Sequence, residues 1–371
     1  MHKVLFIFGT RPEAIKLCPL VRQLRAGSGL QIRVCVTGQH REMLDQVLAA
    51  FDVRPDCDLD LMLPGQTLFQ STSRILAGLE PVFAAERPSL TIVQGDTTTT
   101  LCGALASFYQ KVPLAHVEAG LRTGDLQRPF PEELNRVLTS RMTALHFAPT
   151  EDAANNLRQE GVAPGAVHVT GNTGIDAVLY VRDALEQGRL HAPAAFQNQP
   201  NRKLIAVTAH RRESFGDGFE RICGALAQLA LRPDVEVVYP VHPNPNVQDP
   251  VNRILRGQPN IHLIAPLDYV SFVDLMRRAY LLITDSGGIQ EEGPSLGKPV
   301  LVLREKTERP EAVTAGTVKL VGTDRQSIVN QAVRLLEDRQ EYDRMARVHN
   351  PYGDGRSSAR IADLIRSFLS R

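Results

Sequence analysis

The chain has 371 residues, 42 basic against 41 acidic side chains, a formal net charge of +1 and 43% hydrophobic residues, enough for two ordinary domain cores. Balanced charge excludes a protein held on nucleic acid mainly by bulk charge, and the lack of any long apolar stretch excludes a membrane-spanning helix. Five widely spaced cysteines without a Cys-x-x-Cys, and a first apolar run too short for a signal peptide, predict a soluble, reduced, cytoplasmic protein.

Short apolar runs at 3–8, 31–36, 90–94, 113–117, 145–148 and 167–170 read as buried strands. A second series follows at 203–208, 235–239, 261–264, 281–284, 300–303 and 318–320. Helical patterns lie between them; in one, Phe219, Ile222, Cys223, Leu226, Leu229 and Ala230 recur at helical spacing. Strand alternating with helix predicts mostly parallel sheets covered on both faces. Residues 187–202, rich in Pro, Gln, Asn and Ala, break the pattern, and the chain opens alike on either side: strand, small-residue turn, basic residue, helix. The expectation is two doubly wound α/β domains, 1–170 and 171–357, facing one another across a cleft at their strand C-termini, with a final helix at 358–371 packing back on the first.

In chain order, Gly9-Thr-Arg11-Pro-Glu-Ala-Ile-Lys16 follows the first strand, so Arg11 and Lys16 could reach a diphosphate or be solvated helix-start charges. Gln94-Gly-Asp96 and His116-Val-Glu118 end two later strands, where open parallel sheets bind ligands. Asp96 could instead cap the next helix. Glu118 enters a turn-rich loop where a long acid has no evident structural role. Glu132 and Glu133 follow Pro131, read as a first helical residue, and acids there also suit the helix dipole. His210-Arg211 follows the first strand of the second half, and His242 ends another. Asp285-Ser-Gly-Gly-Ile-Gln-Glu-Glu292 reads as strand, tight turn and helix start. Uncovered N–H groups at Ser286, Gly287 and Gly288 would bind an anion, and Glu292, one helical turn on, a ribose diol. The plain alternative is a small-residue turn that packs a helix closely on a sheet. Arg309 sits in a polar loop. No metal motif appears, and Gly-x-Gly-x-x-Gly is missing after both opening strands.

Taken together, Gly9-Thr-Arg-Pro-Glu13, Gln94-Gly-Asp96, Glu118-Ala-Gly-Leu-Arg-Thr-Gly124, Pro129-Phe-Pro-Glu-Glu133, His210-Arg-Arg-Glu-Ser-Phe-Gly216, Asp285-Ser-Gly-Gly-Ile-Gln-Glu-Glu292 and Thr307-Glu-Arg-Pro-Glu-Ala-Val313 resemble bacterial non-hydrolysing UDP-N-acetylglucosamine 2-epimerases. The motifs occur in order over nearly the whole chain. The resemblance implies a GT-B fold of two Rossmann-like domains, a homodimer, interconversion of UDP-GlcNAc and UDP-ManNAc for cell-surface polysaccharide, and no cofactor, metal, nucleic-acid or membrane partner. It implies that Arg11, Lys16, Arg309 and the Ser286, Gly287, Gly288 turn hold the diphosphate, that Glu292 binds the ribose, and that Phe272 lies near the uracil. Asp96, Glu118, Glu132 and His210 would form the catalytic group. Gln39, His40, Arg211 and His242 resemble part of a second site at which UDP-GlcNAc activates some members. Ala209, Arg128 and Phe130 depart from the family pattern in loops, and Glu42 and Gly65 depart from it near the activating site.

The chemistry explains the need for several acids. The C2 proton of GlcNAc is not next to a carbonyl, so the anomeric C–O bond must break first or concurrently to acidify it. UDP and 2-acetamidoglucal then form, and re-protonation on the opposite face with return of UDP completes the epimer. This requires a clamp for the departing diphosphate, a carboxylate beside C1, and an acid and a base on opposite faces of C2. Asp96 is assigned to C2, with Glu118 and Glu132 sharing the opposite role and cation stabilisation, and His210 to the leaving phosphate. A hydrolysing epimerase, a GT-B glycosyltransferase and a UDP-sugar sensor are the alternatives.

Overall fold

Strands buried on both faces read as continuous apolar text rather than as alternation, and each predicted run forms one. In the computed structural model the strands are β1 (His2–Phe8), β2 (Leu30–Val36), β3 (Cys57–Asp58), β4 (Leu90–Gln94), β5 (Leu114–Val117), β6 (Leu145–Ala148) and β7 (Val167–Val169), then β8 (Lys203–Thr208), β9 (Val235–Pro240), β10 (Ile261–Ile264), β11 (Leu281–Thr284), β12 (Val300–Val302) and β13 (Val318–Leu320). The structure describes all residues except 28, 39, 40, 64, 194, 195, 197, 198 and 371, and the side chains of 41 and 42. The two-residue β3 pairs with the end of β2 and has no apolar run to announce it.

The helices are α1 (Arg11–Arg25), α2 (Arg41–Ala50), α3 (Leu68–Glu86), α4 (Thr98–Tyr109), α5 (Glu132–Met142), α6 (Glu151–Gln159), α7 (Thr173–Glu186), α8 (Asp217–Leu229), α9 (Pro245–Leu255), α10 (Tyr269–Arg278), α11 (Gly287–Ser295), α12 (Pro310–Ala315), α13 (Arg325–Glu337), α14 (Arg339–Ala346) and α15 (Ser357–Leu369). The chain divides into one unit of Met1–Ala177 with Tyr352–Arg371 and a second of Val178–Pro351. The division falls inside α7, ahead of the Pro/Gln/Asn-rich stretch.

In the first unit the parallel strands run in the order β3-β2-β1-β4-β5-β6-β7. In the second the order is β10-β9-β8-β11-β12-β13, also parallel. The winding reverses between β1 and β4 in one sheet and between β8 and β11 in the other. Such a switch point opens a crevice at the strand C-termini. The strand ends are held by cores such as that of the second unit, where Phe219, Ile222, Cys223, Leu226 and Leu229 of α8 bury the predicted face beside Ile205, Val237 and Ile283. The two halves open differently from the expected repeat. Arg11 starts α1 directly, whereas a single turn at Arg212–Ser214 separates β8 from α8.

In the first unit α15 packs on α1. Its N-terminus lacks a cap from its own chain segment, and the buried Asp176 carboxylate of α7 takes that place, accepting from Ser358 N at 2.7 Å and Ser357 N at 3.2 Å. Among the described residues, no helix is long and apolar enough to cross a membrane. The five cysteines are unpaired, and all but Cys57 are buried.

His116 of β5 and His146 of β6 are register partners in the sheet interior. Burial pushes the first ring down to about 3 and the second to about 4, against an ordinary 6.5. Below 6.5 the unfolded chain therefore binds protons that these folded rings refuse, so stability rises with pH and is lost as pH falls through that window. Chemical denaturation midpoints are expected to fall from neutral pH to about 4, and His116→Gln to flatten part of the fall. A wild-type midpoint that does not change with pH would contradict this.

Candidate active site

In the first unit the loop after β1 begins with a capping box. Thr10 caps α1, and the buried Glu13 accepts from Gly9 N at 3.0 Å and Thr10 N at 2.7 Å. Its other oxygen accepts from Thr97 Oγ1 at 2.7 Å and Thr100 Oγ1 at 3.2 Å. Glu13 thus ties the β1 loop to the β4 loop across the switch point. The half-buried Arg11 has no hydrogen-bonded or ionic partner among the described residues. Lys16, one turn into α1, is instead bonded to Glu118.

Asp96 and Glu118 follow the neighbouring strands β4 and β5. The helix cap after β4 is Thr97, which accepts from Thr100 N at 3.1 Å, so Asp96 does not cap α4. Its carboxylate is bonded to Arg136 of α5, and its carbonyl accepts from Asn135 Nδ2 at 2.9 Å. His116 Nε2 donates to Gly95 O at 2.7 Å. Glu118 has φ 63°, a left-handed conformation that costs a non-glycine residue about 1–3 kcal/mol and persists where its surroundings over-determine it. Here Lys16 binds one carboxylate oxygen and Gln94 the other, and the side chain is 8% exposed.

The paired acids at the start of α5 have different fates. Pro131, expected as the first helical residue, is the N-cap, and the helix starts one residue later, at Glu132. Glu133 is 1% exposed and accepts from Thr123 N and Gly124 N, both at 3.0 Å. It pins the loop that follows β5. Glu132 is half-buried and has no hydrogen-bond partner among the described residues. It precedes Arg136 by four residues, so both lie on one helix face, the face that meets Asp96. Arg136 also lies 3.3 Å from Glu133. Sequence reasoning assigned Arg136 no role. Its signal was a cation at helical spacing from a candidate acid.

In the second unit Asp285 follows β11, and His210 and His242 follow β8 and β9. Asp285 is fully buried; its Oδ2 accepts from His210 N at 2.6 Å and Arg211 N at 2.7 Å. The His210 and His242 rings stack at 5.4 Å. Ser286 is the N-cap of α11 and makes no side-chain capping bond, which leaves first-turn N–H groups for an anion. The alternative of close helix packing fits Gly293, where a Cβ would come within 2.7 Å of Leu282 and 2.9 Å of Val300. It does not fit the turn. A Cβ on Gly287 would come no nearer than 3.8 Å, to Arg309, and one on Gly288 no nearer than 3.9 Å, to Glu292 and Ser286. Arg309 is bonded to the buried Glu291 and faces the turn. Phe272 lies half-buried in α10, three residues past Tyr269, whose hydroxyl is raised by burial and by Glu292. Of the residues resembling a second site, Arg211 and His242 border His210; Gln39 and His40 lie outside the described residues. Among those residues, no group of three or more His, Cys, Asp or Glu is placed to hold a metal.

Residues 22–366 match the family model described as UDP-N-acetylglucosamine 2-epimerase. The chain is 57% identical to the UDP-N-acetylglucosamine 2-epimerase of Salmonella typhimurium over 99% of both chains. It is 56% identical to that of Escherichia coli K12 over 98% of both. Among solved structures it resembles the UDP-GlcNAc 2-epimerase of Neisseria meningitidis bound to UDP-GlcNAc, with TM-score 0.89 and 48% identity over 98% of this chain and 100% of the other. The α/β fold class is GT-B, with one Rossmann-like sheet in each unit.

The division of labour at α5 has a measurable consequence. Glu133→Gln leaves one of two backbone donors or Arg136 poorly satisfied and is expected to cost about 1–3 kcal/mol of stability, whereas Glu132→Gln is expected to stay within about 0.5 kcal/mol of wild type. Thermal unfolding of both variants checks this; equal losses would contradict it.

Proposed function

The chain belongs to the UDP-N-acetylglucosamine 2-epimerase family, and from that premise we propose that it interconverts UDP-GlcNAc and UDP-ManNAc by elimination and re-addition of UDP, without hydrolysis. One observation carries the reading: two carboxylates stand at the C-terminal ends of adjacent strands beside the switch point, one of them held in a left-handed backbone conformation by donors on both oxygens. A loop acid with only a packing role does not need that arrangement.

UDP-GlcNAc binds with its diphosphate on the first turn of α11, where Ser286, Gly287 and Gly288 present N–H groups and Arg309 adds charge. Arg11, which has no partner among the described residues, and Lys16 are the further cations that the family resemblance gives the diphosphate. Glu292 takes the ribose hydroxyls and Phe272 the uracil. Breakage of the C1–O bond sends the electron pair to the β-phosphate oxygen of UDP, where His210 assists. Asp96 removes or returns the C2 proton on one face. Glu118, already bonded to two donors, is suited to stabilising positive charge at C1, and Glu132, which has no hydrogen-bond partner among the described residues, to exchanging the proton on the other face. The intermediates are UDP and 2-acetamidoglucal. Protonation of C2 on the opposite face and attack of the UDP oxygen on C1 restore the starting bonds with inverted C2.

The same reading places the enzyme in the cytoplasm, supplying ManNAc units for cell-surface polysaccharide, as a homodimer. In support of the dimer, α3, α4 and α5 pack side by side and leave Leu68, Phe69, Phe108, Tyr109, Leu134 and Leu138 exposed. Light scattering is expected to give twice the chain mass; a monomer at micromolar concentration would remove this part.

Asp96→Asn, Glu118→Gln and Glu132→Gln are each expected to lower turnover of UDP-GlcNAc by about 10²-fold or more while binding UDP like wild type. Chromatographic assay of UDP-ManNAc and calorimetric titration with UDP check both. Near-full activity in all three folded variants would end the assignment. Free ManNAc with UDP as wild-type products would replace it by the hydrolysing reaction.

A further inference from the structure

We propose that Asp285 is a positioning residue for His210: it holds the ring proton on Nδ1, leaves Nε2 to meet the departing phosphate, and stabilises the imidazolium once a diphosphate is bound. The inference rests on the reading of His210 as the group at the leaving phosphate and assigns that group its orientation and charge control.

Asp285 is 0% exposed, and its two oxygens are used unequally. Oδ2 is saturated by the main-chain donors His210 N and Arg211 N. Oδ1 accepts no hydrogen bond among the described residues. A buried carboxylate oxygen without a donor is costly, and the polar atom facing it is His210 Nδ1, at 3.4 Å. One carboxylate therefore spans the switch point of the second sheet, from the end of β11 to both the main chain and the ring at the end of β8. A small rotation of the ring completes the bond, and a neutral ring that donates from Nδ1 has its free lone pair on Nε2.

The other groups around the ring act against its charge. His242 stacks on it with the planes 13° apart, and Asn244 N donates to His242 Nδ1 at 3.1 Å, which puts a neutral His242 proton on Nε2. Arg211 adds a neighbouring positive charge. Tyr239 donates its hydroxyl to Ala209 O at 2.7 Å and does not compete for Asp285. Glu213, on the following turn, is taken by Arg304 at 2.6 Å. Desolvation, His242 and Arg211 together outweigh Asp285 and hold His210 below its ordinary 6.5. The ring is therefore neutral in the free protein at neutral pH. A bound diphosphate adds the negative charge that reverses the balance, so the ring gains a proton where one is needed.

The test uses the full-length protein with ring-labelled histidine, His210 being assigned by the signal lost in His210→Gln. In wild type the nitrogen shifts are expected to show a neutral ring protonated on Nδ1; protonation on Nε2 would overturn the proposal without recourse to any variant. Asp285→Asn, in which an amide oxygen can still accept from the two main-chain donors, is expected to lower the His210 pKa by about one pH unit and to move the alkaline limb of the turnover profile to lower pH by the same amount. It is also expected to slow His210→Gln no further. An unchanged His210 titration in Asp285→Asn, or losses that multiply in the double variant, would refute the positioning role. The titration does not depend on the reaction, so failure of wild type to make UDP-ManNAc would remove the epimerase reading and leave the Asp285–His210 result to be judged separately.

Discussion

The direction of the strands is the constraint on which the rest depends. In a sheet whose strands all run one way, every turn that follows a strand lies along one edge, and the two windings part at a single place on that edge. That place is between β1 and β4 in the first unit and between β8 and β11 in the second. Arg11, Asp96 and Glu118 occupy the first edge; His210, Asp285 and the Ser286–Gly288 turn occupy the second. None needs a long excursion of chain to reach its position. The cores beneath, with α8 on the second sheet as the plainest case, fix the strand ends and hence the loops that carry charge.

Within that frame the acids are distinguished by what they bond. Glu13 and Glu133 are spent on main-chain N–H groups: one closes the α1 cap and ties two loops, the other pins the loop after β5. Asp96 and Glu118 bond cations of neighbouring helices, Arg136 and Lys16. Glu132 bonds nothing described. Acids of the first kind determine loop shape, and their loss is felt as stability. Those of the second kind are held in place at the strand ends by cations of neighbouring helices, and the proposed function predicts that their loss is felt as rate. The second unit repeats the pattern with Asp285, whose one oxygen holds the main chain while the other faces a histidine ring.

The strands, the helical face of α8 and the two-sheet architecture were legible because a parallel strand buried on both sides is a short apolar run, and here such runs alternate with helical patterns and are bounded by turn residues. The two-residue β3 was invisible for the same reason reversed, since Cys57 and Asp58 make too short a run to register. Asp96, Glu118 and His210 were legible as polar residues that follow apolar strands, and Gly287-Gly288 as a small-residue turn in the same position. Pairing was not. Lys16 reads as a cation for a diphosphate beside Arg11, and its bond to Glu118 in the fold spans a sequence separation that no local pattern reports. The difference between Glu132 and Glu133 depends on which side of α5 meets the loop after β5, and Arg136 gains meaning only when α5 is laid against the end of β4.

The proposed function makes one central chemical claim: the C2 proton leaves and returns while UDP is detached, with no cofactor taking part. Incubation of the purified protein with UDP-GlcNAc in D₂O, with nothing else added, tests it most directly by proton NMR of the sugar. The account predicts UDP-ManNAc carrying deuterium at C2, with label also entering the recovered UDP-GlcNAc. UDP-ManNAc that retains its C2 proton, or substrate that remains unchanged and undeuterated, would contradict it.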